Sequence, residues 1–352
     1  MQKRYTVFLT GATGLVASYL LKILLQQGNF VYCLARSKDG ISAGERVTSL
    51  LKFWDKNTPT ENLRVLDGDV TLPGLGIKKE KEEVASNAEI IYHSAALAEL
   101  RSPLDVISKI NVEGTNNILE FALGCKKLKK LNHISTAFVI GDRKGVNFTE
   151  DMLQEGQGFY NTYEQTKYEA EILVKNYVKK GINISIFRPS MVMGDFKEGR
   201  TNSFRLFYEP IHFFSRGIYE EFPADDNGFH NLINIDTVAQ ALFLLGDRGE
   251  QATYHLVSKE EVRIKELFGL AADFFGFKMP KCTPLSKFDF SQWTPVQKLL
   301  AEPYIPYFNY NTKFVSERTH AVLKEYGFSF PKIDKSNLTR IFEYCRRRGY
   351  IK

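Results

Sequence analysis

The segment TVFLTGATGLVA, Thr6 to Ala17, constrains this chain more than any other stretch. Five strand-favouring residues run straight into Gly11, Gly14 follows three positions later, and apolar residues at helical spacing come next. That order spells strand, tight turn, helix. A Cβ at position 11 would obstruct the turn. Gly14 lets a pyrophosphate approach the N–H groups at the helix start, and Ala17 permits close packing of helix on strand. Gly11, Thr13, Gly14, Leu15 and Val16 are therefore expected to cradle the phosphates of a dinucleotide.

From residue 5 to about 190 the runs YTVFLTG, FVYCLAR, LRVLDGD, EIIYHSA, LNHISTAFV and ISIFRPS alternate with amphipathic stretches such as Leu15 to Gln26, Lys109 to Leu123 and Glu164 to Val178. This alternation predicts an α/β chain of Rossmann type, a doubly wound parallel sheet. After Gly194 the sequence turns aromatic and rich in turns. A strand-like NLINI and a helix-like DTVAQALFLL follow, then YHLVS, and after it helical segments broken by Pro280, Pro284, Pro303 and Pro306. The expected division is a dinucleotide-binding domain over 1–194, completed by about 231–254. A smaller, mainly C-terminal substrate lobe would comprise 195–230 and 255–352. The aromatic residues Phe204, Phe207, Tyr208, Phe213, Phe214 and Tyr219 either line a substrate channel or pack that lobe.

Across 352 residues, 43% hydrophobic and 25% charged content is ordinary for a globular protein and argues against disorder. Cys33, Cys125, Cys282 and Cys345 lie far apart without a CxxC, and the six histidines show no HxxxH or HExxH. Neither a disulfide framework nor a metal site is expected. The N-terminus leaves no room for a signal segment before the first strand, and no stretch approaches the roughly 18 apolar residues of a membrane span. A cytoplasmic chain is the expectation. The net charge of +6 includes Arg346 to Arg348 and the group Lys126, Lys127, Lys129, Lys130, which read as solvated helix faces or ends; nucleic-acid binding is not indicated.

The second strand bears on the dinucleotide. Sites for NAD place an acid about 20 residues beyond the glycine turn, whereas an arginine there suits a 2′-phosphate. Here Ala35, Arg36 and Ser37 occupy that strand end, with Arg46 following, which favours NADPH. Downstream, Tyr163 and Lys167 stand at i and i+4 on one helix face, where the ammonium is expected to lower the phenol's pKa. Ser135 and Thr136 close the preceding strand and offer a hydroxyl to the same carbonyl oxygen.

With TGATGLVA, LDGDV, HSAA, NVEGT, STAFVIG, YEQTK and FRPSMVMGD in this order, residues 5 to 260 resemble the extended short-chain dehydrogenase/reductases. The resemblance implies that Asp69 and Val70 meet the adenine, that Ser94, Ala95 and Ala96 line the phosphate and ribose path, and that Asn111 supports the site. It further implies that Thr136 replaces the catalytic serine, that Tyr163 is the acid/base, and that Lys167 also holds the nicotinamide ribose. Pro189, Ser190 and Val192 would border the nicotinamide. Within that family the chain is most similar to thioester reductase domains and fatty acyl-CoA reductases. This implies reduction of an acyl thioester, carried on coenzyme A or an acyl carrier protein, to aldehyde or alcohol. Nucleotide-sugar epimerases and dehydratases share the fold and the Tyr/Lys pair. Against them stand Arg36, and Thr136-Ala137-Phe138 in place of Thr-Asp-Glu. A ketone or hydroxysteroid-type reductase needs the same three residues, and a non-catalytic NADP-binding sensor could dispense with Tyr163.

Overall fold

The structure, a computed structural model, describes residues 3–352. Met1 and Gln2, which open the segment read above for a leader, lie outside them. Seven parallel strands form the main sheet: β1 (Thr6–Thr10), β2 (Phe30–Ala35), β3 (Leu63–Asp67), β4 (Ile90–His93), β5 (Lys130–Ile134), β6 (Ile184–Pro189) and β7 (Thr253–Leu256). Their order is β7-β6-β5-β4-β1-β2-β3, parallel throughout. Strand order reverses between β1 and β4, and a doubly wound sheet opens its ligand crevice at the carboxyl ends of the strands there. The Rossmann plan expected from the alternation is the plan observed.

Apolar runs such as FVYCLA become strands here because both sheet faces are covered. On one face α1 (Leu15–Gln26) packs with the helix Ile235–Leu245 over Leu9, Val31 and Cys33. On the other, Phe8, Tyr32 and Ile91 meet Ile118 and Val174. α2 (Ala43–Trp54) starts with a reciprocal capping box between Ser42 and Glu45. The predicted Lys109 to Leu123 helix divides into a π-helical turn, Lys109–Glu113, and an α-helix, Gly114–Leu123. The Tyr163 helix runs Thr162–Lys179, capped by the Asn161 side chain.

The substrate lobe has its own aromatic core, in which Phe207, Tyr208, Phe214 and Tyr219 are buried with Phe222, Phe268, Phe308 and Phe342. Of the six aromatics singled out between 204 and 219, only Phe207 also faces the main cleft. NLINI does not join the main sheet: Leu232–Asn234 pairs with Met191–Met193, and Thr253–Leu256 takes the sheet edge beside β6. A boundary at residue 254 falls inside that strand. The helix Glu317–Glu325 also returns to the sheet, burying Leu323 in its core. We therefore assign Thr253–Leu256 and Glu317–Glu325 to the main domain, since burial against the sheet outweighs their place in the chain.

Arg188 on β6 and Glu171 on the Tyr163 helix form an ion pair at 2.7 Å with both side chains fully buried. Arg188 also donates to the Met152 carbonyl at 2.9 Å and to His255 Nε2 at 3.1 Å, while His255 Nδ1 donates to the Val315 carbonyl at 2.7 Å. These bonds tie β6, β7 and the Tyr163 helix together. The basic clusters are likewise anchored. Lys129 pairs with Glu89 at 2.6 Å, buried Lys130 donates to Asn183 Oδ1 and the Glu250 carbonyl, and Arg346 donates to the Phe274 carbonyl.

Candidate active site

A cleft of about 680 Å³ lies along the carboxyl ends of the strands, between the sheet and the lobe. The turn after β1 forms one end. Gly11 has φ +76°, and a Cβ there would stand 2.6 Å from the Ala95 backbone nitrogen, so the approach of the β4 loop admits only glycine. Gly14 N donates to Gly11 O at 2.8 Å, which tightens the turn. Thr13, Gly14, Leu15 and Val16 face the cleft, as do Ser94, Ala95 and Ala96 across from them. Ala95 N donates to Thr10 Oγ1 at 3.2 Å.

At the end of β2, Arg36 is 56% exposed and reaches Asp69 at 3.2 Å. Arg46 donates to the Arg36 carbonyl. Both arginines, Asp69 and Val70 line this end of the cleft. Ser37 does not: its backbone N–H and hydroxyl are taken by Asp67 at 2.9 and 2.7 Å, and its Oγ accepts from Ala43 N. The carboxylate at the end of β3 thus holds Ser37, which is not among the residues that line the cleft. Asn111 is also absent from the cleft wall. Its side chain bonds Leu97 N, Leu97 O and Thr166 Oγ1 at 2.7, 3.1 and 3.1 Å. It clamps the β4 loop to the Tyr163 helix from behind, as a buried amide with satisfied partners does.

At the centre of the cleft, Thr136 ends β5's extension and caps the turn Ala137–Ile140, its hydroxyl accepting from Phe138 N at 3.3 Å. Tyr163 and Lys167 project from one face of their helix, and Pro189 at the end of β6, Ser190 and Val192 of the short strand Met191–Met193 close the wall. Lys167 is buried and donates to the Ile134 carbonyl at 2.8 Å. Burial pushes the Tyr163 phenol up to about 12, against a hydrogen bond with Thr136 that lowers it. The expected lowering by Lys167 is thus not what the cleft does: the ammonium points to a backbone carbonyl, and burial lowers its own pKa to about 8. The residues fit a dinucleotide: a glycine cradle that any Cβ would fill, two arginines at the adenosine end, and buried Ser135 and Ser190 hydroxyls without partners among the described residues.

The structure adds wall residues from the lobe that local patterns do not announce, His230, Phe268, Tyr304, Tyr307 and Phe308, and with them Phe138 from the main domain. The phenol of Tyr307 donates to Glu164 Oε1 at 2.5 Å and accepts from Asn161 Nδ2 at 2.8 Å. Burial raises the Glu164 carboxyl from its ordinary 4.5 to about 7. Between those values the folded protein keeps a proton that the unfolded chain has released. Stability therefore falls as pH rises through this window, and the full penalty, on the order of 3 kcal/mol, is present above about pH 7. Glu164→Gln should flatten this slope in urea midpoints taken from pH 4 to 8; an unchanged slope would assign it to other groups.

Fold and site together define the class: an NAD(P)-binding oxidoreductase architecture of the extended short-chain dehydrogenase/reductase type. The chain belongs to the family described as Male sterility protein, whose model matches residues 9–242. It is 25% identical to a linear gramicidin synthase protein of Brevibacillus parabrevis over 98% of its own length and 7% of that protein. It is 30% identical to fatty acyl-CoA reductase wat of Drosophila melanogaster, over 67% of its length and 53% of that protein. The chain thus spans a small part of the first relative and about half of the second. Among solved structures, the terminal R domain from the myxalamid PKS-NRPS biosynthetic pathway superposes with a TM-score of 0.84 and 25% identity, covering 100% of this chain and 93% of that one. No helix among the described residues is long and apolar enough to cross a membrane.

Proposed function

We propose that this chain is an NADPH-dependent reductase of an acyl thioester, held on coenzyme A or an acyl carrier protein and reduced to aldehyde or alcohol. The observation that carries this reading is the meeting, in one cleft, of Thr136, Tyr163 and Lys167 with the Gly11 cradle at one end and an aromatic, largely apolar wall at the other. Similarity to a fatty acyl-CoA reductase, to a gramicidin synthase and to an R domain supports the thioester as substrate. Four free cysteines suit a cytoplasmic setting.

Gly11, Gly14, Arg36 and Arg46 would hold the dinucleotide, which when bound supplies hydride to the carbonyl carbon. Thr136 and Tyr163 donate hydrogen bonds to the carbonyl oxygen as negative charge builds on it. With its pKa near 12, Tyr163 is protonated at neutral pH, the form that carbonyl reduction requires of a proton donor. Lys167 remains mostly charged below about 8 and, beside the Ile134 carbonyl to which it donates, would hold the nicotinamide ribose. In the thioester step the C–S bond breaks as the carbonyl re-forms, and the departing thiolate takes a proton.

Incubation with NADPH and a panel of acyl thioesters, aldehydes and nucleotide sugars should oxidise NADPH with release of free thiol. Reduction of aldehydes or ketones with thioesters inert would overturn the reading. In the same assay Arg36→Ala should raise KM for NADPH roughly 10- to 100-fold, the worth of a charge-assisted bond to a phosphate, and leave KM for NADH unchanged. Wild-type efficiency that is equal with NADH would remove the phosphate from Arg36.

A further inference from the structure

The far end of the cleft is walled by carbon: Phe207, Phe268 and Phe308 all face it. His230 interrupts this wall, and Asn202, Ser203, Arg205, Tyr304 and Tyr307 also line the cleft. His230 is 7% exposed, and neither ring nitrogen has a hydrogen-bond partner among the described residues; the Phe308 ring stands edge-on to it at 6.2 Å. The Asn202 amide oxygen faces the same cleft, buried and also without a partner. Other buried histidines differ. His93 is bonded on both nitrogens, to Thr10 and Thr115, and His255 lies between Arg188 and Val315. His133 is unpaired too but is not part of the cleft wall.

The backbone of His230 is held in place, because its strand, Phe229–His230, pairs antiparallel with Val262–Arg263. Burial keeps the ring neutral at physiological pH. A neutral imidazole offers one donor and one acceptor. A hydroxyl or a secondary amide carries both a donor and an acceptor and so bonds whichever ring nitrogen faces it in either tautomer, whereas a saturated chain bonds neither.

We propose that His230 is a specificity-determining residue that hydrogen-bonds a hydroxyl or amide within the acyl group, so that the preferred substrate carries such a group instead of a plain saturated chain. The Asn202 amide oxygen supplies a second acceptor within the same cleft. The proposal rests on the thioester reading of the site.

Binding separates the two claims. Coenzyme A thioesters of equal length, one saturated, one with a mid-chain hydroxyl and one with a mid-chain amide, are titrated calorimetrically in the presence of NADP⁺, so that no reduction occurs and the carrier arm contributes equally. The wild type should bind one of the polar chains roughly tenfold or more tightly than the saturated one, and whichever wins names the group. His230→Phe should abolish this advantage and bind the saturated chain at least as well, while His230→Gln retains part of it. Equal or tighter binding of the saturated chain by the wild type, or an advantage that survives in His230→Phe, overturns the proposal. If melting curves show that the Phe variant does not fold, the wild-type comparison and the Gln variant decide. A His230-dependent preference in binding without turnover on NADPH would sink the reductase reading and leave this assignment standing.

Discussion

Tyr163→Phe should lower kcat/KM for thioester reduction by roughly 10²- to 10³-fold while leaving the affinity for NADPH within about twofold. The substitution keeps the ring and its packing and removes only the hydroxyl. Tyr163 lines the cleft, and its hydroxyl is protonated because burial makes the phenolate costly. Thr136→Val should cost less, since it removes one donor and leaves the acid in place. Retention of activity within about tenfold of wild type in Tyr163→Phe would remove Tyr163 from the chemistry, whereas absence of turnover by the wild type with every thioester, aldehyde and ketone would revive the reading of the chain as a non-catalytic NADP-binding sensor.

The largest expected effect on stability comes from Glu171→Ala, at about 3–5 kcal/mol in chemical denaturation. The change strands the Arg188 guanidinium, which has no exposure and whose Nε and Nη2 both donate to that carboxylate. Replacing both partners by apolar residues of similar volume should recover much of the loss, because the penalty lies in an unpaired buried charge more than in the absent attraction. A single variant within about 1 kcal/mol of wild type would show that water or Met152 satisfies the arginine unaided. Arg188 belongs to FRPSMVMGD, a motif whose resemblance points to the nicotinamide. The structure shows that the arginine within it holds β6 to the Tyr163 helix, and so keeps Pro189 and Ser190 opposite Tyr163.

Much of the site is legible in the sequence because it is local. Strand, Gly11 turn and helix are contiguous, Tyr163 and Lys167 share a helix face, and Thr136 closes the strand next to them in the sheet. Each of these follows from periodicity and from what a Cβ or a hydroxyl permits at a given place. Ser37 stands apart from the cleft and Asn111 supports it from behind for one common reason. Whether a polar side chain faces a ligand or a neighbour depends on residues far away: Asp67 captures the first, and Leu97 with Thr166 captures the second.

The sequence by itself determined the doubly wound sheet, the glycine cradle and the three central side chains, since short-range spacing sets all three. Only the tertiary structure decided the protonation of that site and the shape of its far end. Burial is a collective property: it pushes Tyr163 up instead of letting Lys167 draw it down. It also brings Tyr307 and His230 to the cleft from segments that are, along the chain, 144 and 67 residues distant from Tyr163.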